Sequence, residues 1–369
     1  SGVTDTETIS FIITGTNDTP NITVDSGNSA SSSLIETNTT LTSSGTLNVV
    51  DLDRTDVITT SHVVSSVQKD ASGNVMNTDS NEPINSLLKD MLSITHTPID
   101  GTTQTGVINW TFDSGSEAFN YLATGETLTL TYTITATDDN GTPASDTQTV
   151  VITITGTNDT PNITVDSGNS ASSSLIETNT TLTSSGTLNV VDLDRTDVIT
   201  TSHVVSSVQK DASGNVMNTD SNEPINSLLK DMLSITHTPI DGTTQTGVIN
   251  WTFDSGSEAF NYLATGETLT LTYTITATDD NGTPASDTQT VVITITGTND
   301  TPTVSLENID DKTPFGKEFT KETAYLFSDL DTTDVFNFEA VNLPRGLIID
   351  SRTGIISGAP VESGIFEVT

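Results

Sequence analysis

The stretch ETLTLTYTITATDD, residues 126–139, decides the fold. Leucine, tyrosine and isoleucine alternate in it with threonine, and successive side chains of a β-strand point to opposite faces of a sheet. The stretch therefore predicts a strand with one buried face. Residues 45–53 (GTLNVVDLD), 106–112 (GVINWTF) and 147–157 (TQTVVITITGT) alternate in the same way and are rich in β-branched residues, so they also predict strands.

Two other segments, 83–94 (PINSLLKDMLSI) and 116–124 (SEAFNYLAT), space their apolar residues as helices do. They are short, so we expect helices of one or two turns that pack on the core. Several short strands without a long helix predict an all-β chain of tandem Ig-like or cadherin-like β-sandwiches. Each sandwich has its termini at opposite ends, so we expect a linear rod.

A long internal repeat sets the domain organisation. Thr14–Pro161 recurs without a change as Thr155–Pro302, a shift of 141 residues. We expect two identical Ig-like domains, at residues 19–159 and 160–300. Residues 1–18 are expected to be the last strand of a preceding repeat, and residues 301–369 the first part of a different, truncated domain.

The charged residues in the sequence restrict the partners that the chain can bind. The 369 residues include 49 acidic and 11 basic side chains, and the formal net charge is −38. Such a charge repels nucleic acid and anionic lipid and attracts divalent cations. The sequence has no cysteine, so disulfides do not stabilise the domains, and no 18-residue apolar stretch predicts insertion into a membrane.

Acidic loops are expected to meet at the end of each sandwich where the linker enters. In the sandwich order, the loops after strands 45–53 and 126–139 lie at this end. In the first repeat these loops and the entering linker carry Asn17, Asp18, Asp51, Asp53, Asp138 and Asp139. Calcium prefers six to eight oxygen ligands in a flexible arrangement, which carboxylates, an amide carbonyl and linker backbone oxygens can supply together.

Glu36 is expected at the opposite end, near the next linker. The first internal junction, between the two repeats, would then combine Glu36, Asn158, Asp159, Asp192, Asp194, Asp279 and Asp280. The second internal junction would combine Glu177, Asn299, Asp300, Asp329 and Asp331. An isolated acid in a turn is usually only solvated, but recurrence at three junctions favours Ca²⁺ binding.

Catalytic motifs are missing from the sequence. It contains no HExxH, GxxxxGK or paired-cysteine motif, and His62 and His96, although they lie among serines and threonines, lack a nucleophile elbow. We therefore expect no enzymatic activity. Trp110 and Trp251 could stack on sugars, but their place in an alternating strand favours the core.

Three patterns resemble known families. The segments GTLNVVDLD, FNYLATGETLTLTYTITATDDNG and TVVITITGTNDTP resemble the VCBS repeats of RTX-type adhesins of Gram-negative bacteria. The set of Glu, DxD, Asp and linker Asn-Asp resembles the calcium pattern of cadherins, although the linker here has fewer acidic ligands. The segment 327–360 resembles the dystroglycan-type cadherin-like domain, with LPxGL at Leu343–Leu347 and TGxIxGxP at Thr353–Pro360.

These resemblances imply a type I secreted adhesin at the bacterial cell surface, often active in biofilm formation. The repeats are then expected to be an extender, or spacer, that Ca²⁺ stiffens at the junctions and that projects distal ligand-binding domains. The expected partners are calcium ions and neighbouring repeats within a monomer. The alternative is an adhesion module that itself recognises a glycan or a protein.

Overall fold

The computed structural model describes residues 2–78, 85–97, 99–100, 102–219, 226–238, 240, 244–305 and 311–369. The elements of the first repeat are β1 (Asn21–Thr23), β2 (Ser31–Ile35), β3 (Thr42–Val50), β4 (Thr59–Lys69), β5 (Val75–Thr78), α1 (Asn85–Asp90), β6 (Leu92–His96), β7 (Thr105–Asp113), β8 (Thr127–Thr137) and β9 (Ser145–Thr155). They form a four-stranded sheet in the order β1-β3-β7-β6 and a five-stranded sheet in the order β2-β9-β8-β4-β5.

The second repeat has the same architecture. Its elements are β10 (Asn162–Thr164), β11 (Ser172–Ile176), β12 (Thr183–Val191), β13 (Thr200–Lys210), β14 (Val216–Thr219), α2 (Asn226–Asp231), β15 (Leu233–His237), β16 (Thr246–Asp254), β17 (Thr268–Thr278) and β18 (Ser286–Thr296). The sheet orders are β10-β12-β16-β15 and β11-β18-β17-β13-β14.

The C-terminal part has shorter elements. They are β19 (Thr303–Val304), β20 (Phe319–Glu322), a 3₁₀ helix (Ala324–Leu326), β21 (Phe327–Ser328), β22 (Leu347–Ile349) and β23 (Ile355–Gly358). Strand β19 pairs with β21, and β23 lies between β20 and β22. The rings of Phe327, Phe336 and Phe338 pack together, with centroids 5.5–6.4 Å apart.

The core of each repeat lies between its two sheets. Along β8, Leu128, Leu130, Tyr132 and Ile134 are fully buried and alternate with half-buried threonines. They join Trp110 and the other inward residues of the four-stranded sheet in one hydrophobic cluster. The chain is therefore all-β with tandem Ig-like and cadherin-like sandwiches, and the predicted alternation is confirmed.

The two predicted helices had different outcomes. A helix forms at Asn85–Asp90, while Pro83 and Ile84 lie outside the described residues. The prediction for 116–124 was wrong, because this segment is a series of turns in which Phe119 has a φ of 64°. Phe119 is nonetheless fully buried, so the apolar spacing reflected core packing and not helix geometry.

A parallel strand pair positions the tail end of each repeat, which we define as the end that leads into the next linker. Strand β2 runs parallel to β9, with Ser31 opposite Val151 and Ile35 opposite Thr155. The backbone N–H of Glu36 then donates to the carbonyl of Thr155 at 2.9 Å. Glu36 therefore lies where the linker begins, as the sequence predicted.

Gly45 and Trp110 give a test of the core. They are cross-strand partners in β3 and β7, and a Cβ at Gly45 would overlap the indole ring of Trp110. Gly45→Val should destabilise the first repeat by about 1–3 kcal/mol, because overpacking forces the strands apart. Urea unfolding followed by tryptophan fluorescence should become biphasic, whereas Ser44→Val, on the exposed face of β3, should leave one transition. An unshifted transition for Gly45→Val would contradict this account of the core.

No helix among the described residues is long and apolar enough to cross a bilayer.

Candidate metal centre at the junctions

Three buried carboxylates meet at the head end of each repeat, which we define as the end that the linker enters. In the second repeat they belong to Asp192, after β12, to Asp197 in the following turn, and to Asp279, after β17. One oxygen from each lies within 4.8 Å of the others. We call this set the head cluster; in the first repeat it consists of Asp51, Asp56 and Asp138.

The loops hold the head cluster in place through their own backbone. The N–H of Asp194 donates to Asp192 Oδ1 at 3.0 Å, and the N–H of Asp197 reaches the carbonyl of Asp194 at 3.4 Å. Ala285 N–H donates to both carboxylate oxygens of Asp279 at 3.1 Å. The side-chain amide of Asn281 donates to Asp197 at 3.2 Å. The carboxylates are thus oriented by neutral donors, and no basic side chain contributes to these contacts.

The linker between the repeats binds directly to this end. Asp159 N–H donates to Asp194 Oδ2 at 2.7 Å, and Asn158 Nδ2 donates to Asp279 Oδ2 at 3.0 Å. In the first repeat, Asp18 N–H donates to Asp53 Oδ2 at 2.6 Å. There Asn17 Nδ2 donates to Asp138 Oδ2 at 3.1 Å. The structure therefore brings the predicted linker residues to the predicted loops.

Glu36 connects the tail end of the first repeat to the same linker. Its carboxylate accepts hydrogen bonds of 2.6 Å from Thr157 Oγ1 and from Asn38 N–H, and it is 1% exposed. The side-chain amide of Asn38 donates to Asp159 Oδ1 at 2.8 Å. A continuous hydrogen-bonded path therefore runs from Glu36 through the linker to the second repeat.

The second internal junction repeats part of this arrangement. Thr298 Oγ1 donates to Glu177 Oε2 at 2.6 Å, and Asp300 N–H donates to Asp331 Oδ2 at 2.8 Å. Asp331 N–H donates to Asp329 Oδ1 at 3.1 Å. The side chain of Asn299 differs, because it donates to the carbonyl of Asp300. Among the described residues, groups of three carboxylates occur only in the two repeats.

Several buried oxygens at these junctions accept no hydrogen bond from the described residues. At the first internal junction they are Asn158 Oδ1, Asp159 Oδ2, Asp192 Oδ2 and Asp194 Oδ1, and at the second they are Asp300 Oδ2 and Asp331 Oδ1. Buried polar atoms normally have a partner, and a buried charge without one is unfavourable by several kcal/mol. The one ion pair found among the described residues joins Lys321 to Asp311, neither of which belongs to these sets. These oxygens are the kind of ligand that a hard cation prefers, so the chemistry of the junction fits a bound cation.

Burial also makes the carboxyl groups at the first internal junction harder to ionise. It raises the pKa of Asp194 to about 8, that of Asp197 to about 7 and that of Asp192 to about 6, and nearby carboxylates add to each shift. Burial also raises the pKa of Asp159. The folded junction therefore favours a bound cation or protons over bare charges. Asp53, in the same sequence context as Asp194, stays half-buried, so the preceding repeat completes the burial of this site.

Asp139 and Asp280 lie at the edge of the site and not in the head cluster. Both are exposed, and their carboxylates accept from the N–H groups of Val57 and Val198 at 2.8 Å. Asp56 and Asp197, in contrast, belong to the head cluster and were not predicted. The spacing DxDxxD in DLDRTD could have indicated them, because the turn that follows DxD brings its third aspartate back to the first.

The other candidate residues, His62, Trp110 and Trp251, make contacts inside their own repeats. His62 Nε2 lies 3.0 Å from the carbonyl of Lys89. Trp110 and Trp251 are fully buried, and their indole N–H groups donate to the carbonyls of Ser29 and Ser170 at 2.7 Å. These tryptophans are therefore core residues and cannot stack on a sugar.

One family model matches the C-terminal part of this chain, and several solved structures resemble most of its length. Residues 302–369 match the He_PIG family model, described as "Putative Ig domain". Among solved structures, the protocadherin GammaB4 extracellular domain is 15% identical with a TM-score of 0.35, and the match covers 94% of this chain and 46% of that one. Mouse cadherin-23 EC22-24 is 13% identical with a TM-score of 0.32, over 93% and 89% of the two chains. No curated protein sequence matches. The chain thus spans less than half of the first of these structures, and similarity at this level says nothing about function.

Proposed function

We propose that the chain is an extender of a large, type I secreted bacterial surface adhesin, and that Ca²⁺ at its junctions holds successive sandwiches in one orientation. The observation that carries this proposal is the group of buried carboxylate and amide oxygens, at the contact between the two repeats, that accept no hydrogen bond from the described residues. A cation bound there would link carboxylates of the second repeat to the linker and to Glu36 of the first. Its chemistry is electrostatic: it would neutralise acids that otherwise repel one another.

Calcium suits this donor set better than other common metals. All the candidate ligands are oxygens, from carboxylates, from the amide of Asn158 and from linker backbone carbonyls. The head cluster contains neither histidine nor cysteine, which zinc and copper sites generally use. Magnesium requires stricter octahedral geometry and retains several waters, whereas calcium tolerates irregular sites with six to eight ligands.

Exact repetition favours a spacer over a receptor-binding module or an enzyme. A spacer gains length from every identical copy, while a specific binding or catalytic site needs one good copy. Both ends of a repeat are engaged in contacts with the linkers. Direct recognition of a glycan or protein remains the alternative, but the tryptophans that favoured it are buried.

Small-angle X-ray scattering of the chain in calcium and in chelator tests the proposal. In calcium we expect a large maximum dimension and the scattering of a stiff particle, and in chelator that of a flexible chain of domains. Magnesium at the same concentration serves as the control and should not replace calcium. Scattering that is indifferent to calcium would refute the proposed role of the junctions.

A further inference from the structure

The two repeats also touch through a contact that uses none of the carboxylates of the head cluster. The backbone N–H of Arg195 donates to the carbonyl of Tyr121 at 3.3 Å, and the guanidinium carbon lies 5.4 Å from the centre of the Tyr121 ring. Next to it, Thr196 Oγ1 donates to Glu126 Oε1 at 2.8 Å. The contact therefore joins residues 121–126 of the first repeat, which we call the docking loop, to the two residues after DxD of the second.

The same contact recurs at the second internal junction with a different partner sequence. There Thr332 N–H and Thr332 Oγ1 donate to the carbonyl of Tyr262 at 3.4 and 3.1 Å. Thr333 Oγ1 donates to Glu267 Oε1 at 2.7 Å. A docking loop, here residues 262–267, thus receives an N–H and a hydroxyl from the next domain whether the first of the two residues is arginine or threonine.

Burial of the tyrosine depends on what covers it. Tyr121, beneath Arg195, is 8% exposed, whereas the identical Tyr262, next to Thr332, is only half-buried. Both glutamates are 4% exposed. The larger side chain therefore covers more of the docking loop, while the hydrogen bond from the following threonine to the glutamate is the same at both junctions.

Contacts within its own repeat hold the docking loop in place. Phe119 anchors its start in the core, and Glu126 N–H donates to the carbonyl of Ala123 at 3.0 Å. Gly156, the first residue after β9, donates its N–H to the carbonyl of Glu126 at 2.9 Å. A Cβ at Gly156 would overlap the carbonyls of Leu122 and Ala123, so the linker leaves against this surface.

We propose that the docking loop is an interaction surface that works without a metal. Its partner is the pair of residues that follows DxD in the next domain: the first supplies its main-chain N–H and the second, a threonine, supplies its hydroxyl. The docking loop favours the docked orientation of that domain before a cation binds, and the cation of the proposed function then fixes this orientation. Because Thr196 lies between Asp194 and Asp197, docking also holds the head cluster in position. Such preorganisation reduces the entropy that cation binding must overcome.

Distance measurements in the full chain test this inference. The sequence has no cysteine, so spin labels can be placed through Ser44→Cys and Ser185→Cys, two exposed positions in β3 and β12. Pulsed electron paramagnetic resonance then reports the distance between the two repeats in calcium and in chelator. In chelator we expect a broad distribution in which the docked distance is still populated, and Thr196→Val should lower that population about tenfold, because a hydrogen bond to a buried carboxylate is lost.

Matched variants separate the possible results. Thr333→Val removes the same hydrogen bond at the second internal junction and should leave the measured distance unchanged. Glu126→Gln retains an acceptor for Thr196 and should keep most of the docked population. If Thr196→Val leaves the distribution in chelator unchanged, the docking surface is refuted, whatever calcium does. If calcium does not narrow the distribution of the unsubstituted chain, the proposed function fails, while the comparison in chelator still tests docking.

Discussion

Removal of calcium should lower the free energy of unfolding of the second repeat by about 4 kcal/mol per bound ion, when free calcium is about 1,000 times its dissociation constant. The reason is that Asp192, Asp197 and Asp279 are buried side by side, and the hydrogen bonds to their carboxylates described above come from neutral donors. For a domain of this size, each kcal/mol corresponds to about 2–4 °C, so the transition should fall by roughly 8–16 °C. Differential scanning calorimetry in calcium and in chelator measures this shift.

Magnesium gives the control for this prediction. At equal concentration it should recover only a small part of the stability lost in chelator, because its coordination is stricter. A transition that stays at the same temperature in calcium, magnesium and chelator would show that the carboxylates need no cation. The proposal that calcium orients the repeats would then lose its physical basis.

The second large effect is expected for Asp192→Ala combined with Asp194→Ala. Removing one partner of a buried charge pair typically costs about 3–5 kcal/mol. Calcium affinity at the first internal junction should therefore fall at least about 100-fold. Both side chains lie outside the hydrophobic cluster of the second repeat, so its sandwich should remain folded. Calorimetric calcium titration measures the loss of a site, and limited proteolysis of the linker reports the loosened junction.

The identical first repeat supplies the matched variant. Asp51→Ala with Asp53→Ala changes the same two residues, but in the domain that precedes the first internal junction. It should also remove calcium binding, yet leave the linker at residues 156–161 as resistant to protease as before. If the Asp192 and Asp194 variant unfolds the second repeat in calcium, these carboxylates support the core and do not merely join the domains.

The sequence predicted β3, β7, β8 and β9 because the alternation within each of these strands is local. The alternation in residues 126–139 depends only on which face of one strand is buried, and the structure buries that face. The head-end residues Asp51, Asp53 and Asp138 could be brought together in advance because strand order in a sandwich determines which loops are neighbours. That they bind calcium is still a prediction.

Features that depend on backbone turns or on a second domain could not be predicted from local sequence patterns or from strand order. Asp197 joins the head cluster only because a turn after DxD carries it back, which no period of two or 3.6 residues describes. Phe119 adopts a left-handed conformation that overrides the helical spacing around it. The role of Glu126 appears only when Thr196 of the next repeat is present, so a single repeat gives no signal for it.

The parallel pairing of β2 with β9 has a consequence for mechanical load. Strand β2 lies near the start of a repeat, and β9 is followed directly by the next linker. A force that pulls the two ends of a repeat apart slides these strands along each other, so their hydrogen bonds are strained together in shear and do not open one by one. Rupture then requires several bonds to break at once, which slows forced unfolding. A tether built from such repeats would therefore resist flow without unfolding its sandwiches.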